Sequence, residues 1–327
     1  MSAYVGLDVH SEKTYATIIG EGGKILKQKK VANNDITEFL KEYKVEKVGL
    51  ESSAHLVPIY RALVEEGYCV QVSHPKKTRY IAEARIKTDR VDSKAIAELV
   101  RLDALPQSYV PPRDIAELRE KVRRRAFLVR ERAKLMTKVK AVLTYEGVKA
   151  PGEYGLFTKQ GVAWLHGLKL EPIECYLRVM GPLSEEIKKL SLELKCIADD
   201  DEDVELLMTI PGVGYYTALL VKAEVGDISR FSTGERLCSY AGIVPSTYSS
   251  SDVTRHGRIT REGSKWLRWA MTEAAIIHLK YDTSITRAYH RIAERRGKQV
   301  ARVAVARKLL MCCWSVLRNR REYRPFS

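Results

Sequence analysis

An aspartate stands inside the first apolar run of the chain. Tyr4-Val5-Gly6-Leu7-Asp8-Val9 reads as a buried β-strand, and a lone carboxylate in such a strand is costly unless a partner compensates it. Three further acids can join Asp8. Glu51 ends a second apolar run, Val48-Gly49-Leu50-Glu51. Asp89 and Asp92 lie in Lys87-Thr88-Asp89-Arg90-Val91-Asp92, just ahead of the helix-forming run from Ser93 to Val100. Their three-residue spacing puts both carboxylates on one face of a helix, where they repel each other unless a cation sits between them. Four such acids suit a site for hard divalent cations, with Mg2+ the first choice. The plainer alternative has Asp89 as an N-cap and Asp92 in the first turn, where the helix dipole favours acids. Either residue alone fits that alternative; the four together favour the metal.

The first hundred residues alternate strand and helix patterns. Residues 4–9, 14–19 and 24–31 read as a three-strand meander with a turn at His10-Ser11-Glu12-Lys13 and another at Gly20-Glu21-Gly22-Gly23. Asn33-Asn34-Asp35 starts a helix over 36–43. A strand over 45–51, a helix over 56–66 closed by Gly67, and a strand over 68–72 follow. The order is three strands, helix, strand, helix, strand, helix, which resembles an α/β ribonuclease H-like (RuvC-like) fold. That fold carries its first acid on strand one, its second on strand four and its last on the final helix. Asp8, Glu51 and Asp89/Asp92 occupy those places.

Pro106 and the pair Pro111-Pro112 mark a boundary. The spacing beyond it predicts one long helix over 114–145, with a coiled-coil-like seam through Ile115, Leu118, Val122, Ala126, Val129, Ala133, Met136, Val139 and Leu143. Between Arg113 and Tyr145 there are 11 Lys/Arg against 4 Asp/Glu, densest at Arg123-Arg124-Arg125. A charge run on a helix is usually a solvated face, but this one has a single sign and suits contact with backbone phosphates. Residues 146–172 read as loop-rich. A returning helix over 173–198, interrupted at Gly181-Pro182, completes an antiparallel helical arm. The acidic run 199–203 reads as a solvated linker and helix start. Three regions result: 1–106, the arm 107–200, and a mostly α C-terminal domain 201–327.

In that last domain, Ile210-Pro211-Gly212-Val213-Gly214 joins two short helices in the manner of a helix-hairpin-helix. Turns at Gly212 and Gly214 can free backbone N–H groups for a phosphate, or can serve packing alone. A polar, serine-rich stretch with Ser249, Ser250 and Ser251 reads as a loop, beside Arg255, Arg258, Lys265 and Arg268 and ahead of a helix over 266–279. Serine is a weak nucleophile unless activated, and local sequence alone favours loop filler. At the C-terminal end, Val303, Ala306, Leu310, Trp314 and Leu317 form one apolar helix face, followed by a basic tail with Arg318, Arg320, Arg321 and Arg324.

The formal net charge of +15 points to a polyanionic partner, nucleic acid first, with solubility or an anionic membrane surface as the alternatives. No apolar run reaches the roughly 18 residues of a spanning helix. The opening residues are a strand pattern without a basic leader, so no signal peptide is expected. The six cysteines have neither metal-ligand nor disulfide spacing, which fits free thiols in a reducing cytoplasm.

Taken together, Gly6-Leu7-Asp8-Val9-His10 with Lys13, Glu51-Ser52-Ser53, 87–94, 210–214, Ala241-Gly242-Ile243-Val244-Pro245, Tyr248-Ser249-Ser250 and Arg258-Ile259-Thr260 resemble the DEDD transposases of insertion sequences. That family is related to the pilin-gene-inverting recombinases and includes bridge-RNA-guided recombinases. The resemblance runs nearly end to end. It implies a RuvC-like domain, a coiled-coil arm and a C-terminal transposase domain. It also implies two Mg2+ ions held by Asp8, Glu51, Asp89 and Asp92, and a serine nucleophile. The family pattern Tyr-x-Ser-Gly places Ser250 as that nucleophile; this chain has Ser251 where glycine is usual, which keeps Ser249 and Ser251 as alternatives. The implied partners are donor and target DNA, a structured non-coding guide RNA, and further copies of the chain as a dimer that pairs into a tetramer with a site shared between subunits. The competing expectations are a RuvC-like endonuclease acting by metal-assisted hydrolysis, and a nucleic-acid-binding protein without catalysis.

Overall fold

The computed structural model describes residues 2–81, 88–250 and 253–324, without the side chains of 79, 80, 247–250 and 253–256. Lys87 and Ser251 lie outside the described residues. The chain divides into two compact units, Met1–Val110 and Pro111–Ser327.

In the first unit the elements follow the expected order with one added helix, α3, before the last: β1 (Ala3–Val9), β2 (Lys13–Gly20), β3 (Ile25–Ala32), α1 (Ile36–Lys41), β4 (Val45–Leu50), α2 (Leu56–Glu65), β5 (Val70–Val72), α3 (Pro75–Ile81) and α4 (Asp89–Arg101). They build one mixed sheet in the order β3-β2-β1-β4-β5. β1 is central, antiparallel to β2 and parallel to β4. Side chains alternate across a strand, so β1 serves two cores. Val5, Leu7 and Val9 join Ile36, Leu40, Leu56, Ile59 and Leu63 on one face. Tyr4 packs with Ile96, Leu99, Val100 and Leu105 on the other. Gly6 and Asp8 alternate with the first set, and therefore share the α4 face.

Glycine decides how closely α4 approaches. A Cβ on Gly6 would overlap the Ser93 carbonyl oxygen and the Ala97 nitrogen; one on Gly49 would overlap methyls of Val100 and Ile96. Gly6 and Gly49 are register partners on β1 and β4. Together they make a bare strip on which the helix lies, and the first turn of α4 is thereby brought to the ends of both strands.

The second unit is mainly helical. It contains α5 (Arg113–Tyr145), α6 (Lys159–Gly167), α7 (Glu171–Asp199), α8 (Glu202–Met208), α9 (Tyr215–Val225), α10 (Gly234–Ala241), a hairpin of β6 (Pro245–Ser250) and β7 (Val253–Ile259), α11 (Lys265–His278), α12 (Ser284–Arg296) and α13 (Lys298–Asn319). α5 and α7 run antiparallel: Arg125 Nε donates to Ser191 Oγ, while Val139 and Leu143 share a core with Ile173, Leu177 and Met180. The other end of the pair, at Val122, Leu194 and Ala198, belongs to the large core built on α8 to α13.

Three sequence expectations change. The returning helix is not interrupted: α7 runs through Gly181 and Pro182. A proline inside a helix costs roughly 3 kcal/mol, but this one lies on the exposed side, and burial of Leu177, Met180, Ile187 and Leu190 on both sides of it offsets that cost. The loop-rich stretch holds α6, whose N-cap Thr158 accepts from the Gly161 N–H at 3.3 Å. The serine-rich stretch is a strand, not a loop: β6 pairs antiparallel with β7 from Pro245↔Ile259 to Ser250↔Val253. Repeated Ser and Thr look like loop material until a partner strand takes up the backbone groups. Among the described residues, no helix is long and apolar enough to cross a membrane.

Candidate metal centre

The sequence repeats itself at the two strand ends. Val5-Gly6-Leu7-Asp8 and Val48-Gly49-Leu50-Glu51 lie in parallel register, Val5 with Val48, Gly6 with Gly49 and Leu7 with Leu50. The Glu51 N–H donates to the Leu7 carbonyl at 2.9 Å. Two residues beyond each glycine, Asp8 and Glu51 therefore come out on the α4 side. α4 adds Asp92 from its first turn. One ligand oxygen from each of Asp8, Glu51 and Asp92 can be chosen so that all lie within 4.8 Å of one another. Donor atoms around a single hard cation at 2.0–2.6 Å are at most about 4–5 Å apart, so this group fits one divalent ion. Asp8 is only 5% exposed. An all-carboxylate donor set suits Mg2+, Mn2+ or Ca2+ better than soft metals.

Asp89 sits differently. Its carboxylate is 3.4 Å from Lys30 Nζ and 3.4 Å from His10 Nε2, and His10 Nε2 is also 3.3 Å from Asp8. Asp8, His10 and Asp89 form a second group within metal-ligand reach, so Asp8 belongs to both. Burial acts to raise the Asp89 pKa, but the Lys30 hydrogen bond and the His10 and Lys30 charges outweigh it and hold the carboxyl below the ordinary carboxylate value. Asp89 is also not the helix cap. Thr88 caps α4, its hydroxyl accepting from the Val91 N–H, which leaves Asp89 and Asp92 in the first turn.

The first turn of α4 is tied to the sheet by a short polar chain. Arg90 Nε donates to Gln28 Oε1 at 2.8 Å. Gln28 Nε2 donates to Thr17 Oγ1 at 3.0 Å, and Thr17 meets the buried Ser93 hydroxyl at 2.8 Å. These groups fix the rotation of α4, and with it the position of Asp92. Sequence reasoning quoted His10 in a motif but gave it no role at the site, and passed over Lys30 and this chain. His10 looked like turn material, and the other contacts join residues up to 76 apart in sequence.

The predicted phosphate-contacting residues divide. Arg123 donates to both oxygens of Glu224 at 2.7 and 2.9 Å, and Glu224 also accepts from Ser264 Oγ at 2.7 Å. Glu224 is fully buried. It is an acid in the stretch 218–225, apolar apart from Lys222, a weaker form of the signal that marked Asp8. Arg125 is bonded to Ser191 and stacks over Tyr216 at 4.2 Å. Arg124, Arg258 and Lys265 are exposed. Arg255 pairs with Tyr248 through the β7 backbone. Gly212, at φ +90°, lies where a Cβ would come 2.7 Å from the His278 nitrogen, so this glycine serves a close approach to α11; Gly214 caps α9 with open space beside it. In the tail, Arg320 pairs with Glu202 and Asp203. Ser249 and Ser250 are the last two residues of β6.

The chain thus combines a mixed α/β unit carrying three clustered carboxylates with a helical unit bearing a hairpin. Residues 5–146 match a DEDD transposase model of the IS110 type, and residues 204–291 match the Transposase IS116/IS110/IS902 family. The chain is 28% identical to the transposase for insertion sequence element IS1111A of Coxiella burnetii, over 98% of this chain and 91% of that one. It is 27% identical to the transposase for IS1328 of Yersinia enterocolitica, over 95% of this chain and 96% of that one. The pilin gene-inverting protein of Moraxella bovis is 29% identical over 40% of this chain and 41% of its own. The chain carries the paired domains of the IS110/IS116 family and belongs with these DEDD transposases.

Proposed function

We propose that the protein is a Mg2+-dependent DNA transposase that exchanges strands through a covalent serine–DNA bond. The observation that carries this reading is the convergence of Asp8, Glu51 and Asp92 on one ion-sized position, in a chain with the family's two domains. We assign the first unit a RuvC-like fold, on its strand order β3-β2-β1-β4-β5 and the position of its acids. Asp8, Glu51 and Asp92 hold the ion, with Asp89 on the Asp8–His10 side where a second would sit. Bound Mg2+ supplies positive charge to the phosphate oxygens as the transition state gathers negative charge, and eases ionisation of the attacking hydroxyl.

In this reading Ser250 Oγ attacks the scissile phosphorus. A new O–P bond forms as the bond to one strand end breaks; the serine proton is released and the departing end takes up a proton as a free hydroxyl. The phosphodiester count is conserved, so a strand hydroxyl can later displace the serine and reseal the backbone. Ser249 and Ser251 are the alternative attacking groups. Arg124, Arg255, Arg258 and Lys265 take backbone phosphates, which the +15 net charge supports. By family resemblance a structured guide RNA selects the DNA, and two dimers assemble as a tetramer with serine and acids from different subunits.

A denaturing-gel trap tests this: protein, its flanking transcript, cognate DNA and Mg2+. The reading predicts a protein–DNA adduct that disappears in Ser250→Ala and in Asp92→Asn. An adduct surviving Ser250→Ala but lost in Ser249→Ala or Ser251→Ala would move the nucleophile. Cleavage without an adduct, undiminished in Ser250→Ala, would replace the reading with a hydrolytic endonuclease.

A further inference from the structure

Phe127 is an exposed aromatic in a strongly basic setting. It is 52% exposed on α5, beside a groove of about 480 Å³ that it lines with Trp266, with Arg119, Arg123 and Arg124, and with one acid, Glu120. The groove lies wholly within the second unit. Trp266, in the first turn of α11, is partly exposed and has three cations around its ring: Arg130 at 5.4 Å, Lys265 at 5.7 Å and Arg123 at 5.9 Å from the centroid. The helical spacing explains the arrangement. Residues 116, 120, 123, 127 and 130 fall three or four apart and share one face of α5.

The cations have different duties. Arg123 is committed to buried Glu224, and Arg119 donates to the Ala223 and Glu224 carbonyls at the end of α9. Those bonds fix the floor of the groove. Arg124 lines the groove and pairs with Glu120 beside it at 3.5 Å, an ion pair exposed enough for a phosphate to compete for the guanidinium, while Arg130 and Lys265 are exposed next to the Trp266 ring. Two aromatic faces between mobile-ended cations match what a single nucleic-acid strand requires: a stacking platform for the base and positive charge for the flanking phosphates. A paired duplex keeps its bases in the stack and presents their edges, not their faces, alongside its phosphates. An exposed phenylalanine gains nothing from a phosphate, so its presence selects the unpaired strand.

We infer that Phe127 and Trp266 seat an unpaired base of single-stranded DNA, with its phosphates on Arg124, Arg130 and Lys265. The seat deepens the transposase reading, since strand exchange must expose unpaired DNA, and it rests on that reading for the choice of DNA.

The test is fluorescence anisotropy of the full chain with labelled oligo-dT, a duplex of equal length, and oligo-U, in Mg2+-free buffer so that no cleavage contributes. Phe127→Ala is expected to weaken oligo-dT binding roughly five- to a hundredfold and to leave duplex binding and the salt dependence unchanged. Phe127→Tyr should restore it. Arg124→Gln and Lys265→Gln should each lower the slope of log affinity against log salt by about 0.7, the single-strand value per phosphate. Trp266→Phe should keep most of the affinity, and circular dichroism reports whether it folds. Oligo-dT affinity unchanged in Phe127→Ala, equal losses for duplex and single strand, or an effect confined to oligo-U would each overturn the seat. If oligo-dT binding depends on Phe127 but no serine adduct is ever trapped, the seat stands and the covalent reading fails; an adduct with binding indifferent to Phe127 gives the reverse.

Discussion

Gly6 and Gly49 lie side by side on β1 and β4, and α4 rests on both. The obstacles to a side chain differ at the two positions. At Gly6 a Cβ meets the backbone of Ser93 and Ala97, which cannot turn aside; at Gly49 it meets the Cγ2 methyls of Val100 and Ile96, branched side chains that give way only by leaving their preferred helix rotamer. Both alanine variants should be destabilised, by roughly 1–3 kcal/mol for overpacking, with Gly6→Ala the worse. Urea unfolding midpoints measure this. Equal stability of Gly6→Ala and the parent would mean that α4 does not lie this close.

The Arg123–Glu224 pair gives a second prediction. Glu224 is buried with two Arg123 bonds and one Ser264 bond. Arg123→Ala leaves that carboxylate without its charge partner and should cost about 3 kcal/mol, the lower end for a buried pair because the guanidinium is partly solvated. Arg123→Met with Glu224→Leu should recover much of the loss. Denaturant titration of the two variants decides it: a double variant no better than Arg123→Ala would show that the pair's charge is not the issue.

The six cysteines should separate into two classes. Cys69, Cys175 and Cys196 are exposed; Cys238, Cys312 and Cys313 are buried. Burial pushes the Cys238 thiol up to about 11 and Cys312 to about 12, and raises Cys313 as well. At pH 8 a thiol reagent should label three groups per native chain quickly and all six only after denaturation, because the thiolate is the reactive form. More than three fast groups without denaturant would contradict the core of the second unit.

How much of this was legible beforehand follows from how local each signal is. Asp8 stood out because an acid in an apolar strand is a local contradiction, and the order of strands and helices in the first unit was visible in local periodicity. Glu224 carried a weaker form of that signal, in a helix stretch apolar apart from Lys222, and was overlooked. The Gly-Leu-Asp and Gly-Leu-Glu repeat was in plain view, but its meaning depends on the parallel register of β1 and β4, which no local pattern encodes. The Thr17–Ser93 contact spans 76 residues and is a product of the fold alone. Likewise Pro182 reads as a break because propensity is local, whereas the buried residues on either side of it that keep α7 whole act through tertiary contacts. Strand β6 escaped notice because its partner β7, not its own composition, makes it a strand.

The most direct test of the centre is a titration of the DNA-free protein with Mn2+, followed by its electron paramagnetic resonance and by calorimetry. Asp8 belongs to both ligand groups, Asp92 and Glu51 to one. The account predicts binding in the parent and in Ser250→Ala, severe loss in Asp8→Asn, and weakening of at least tenfold in Asp92→Asn and Glu51→Gln, as expected when one of three charged ligands is neutralised. Parent-like Mn2+ affinity in Asp8→Asn would contradict it, because the strand ends and the first turn of α4 would then not be where the metal is held.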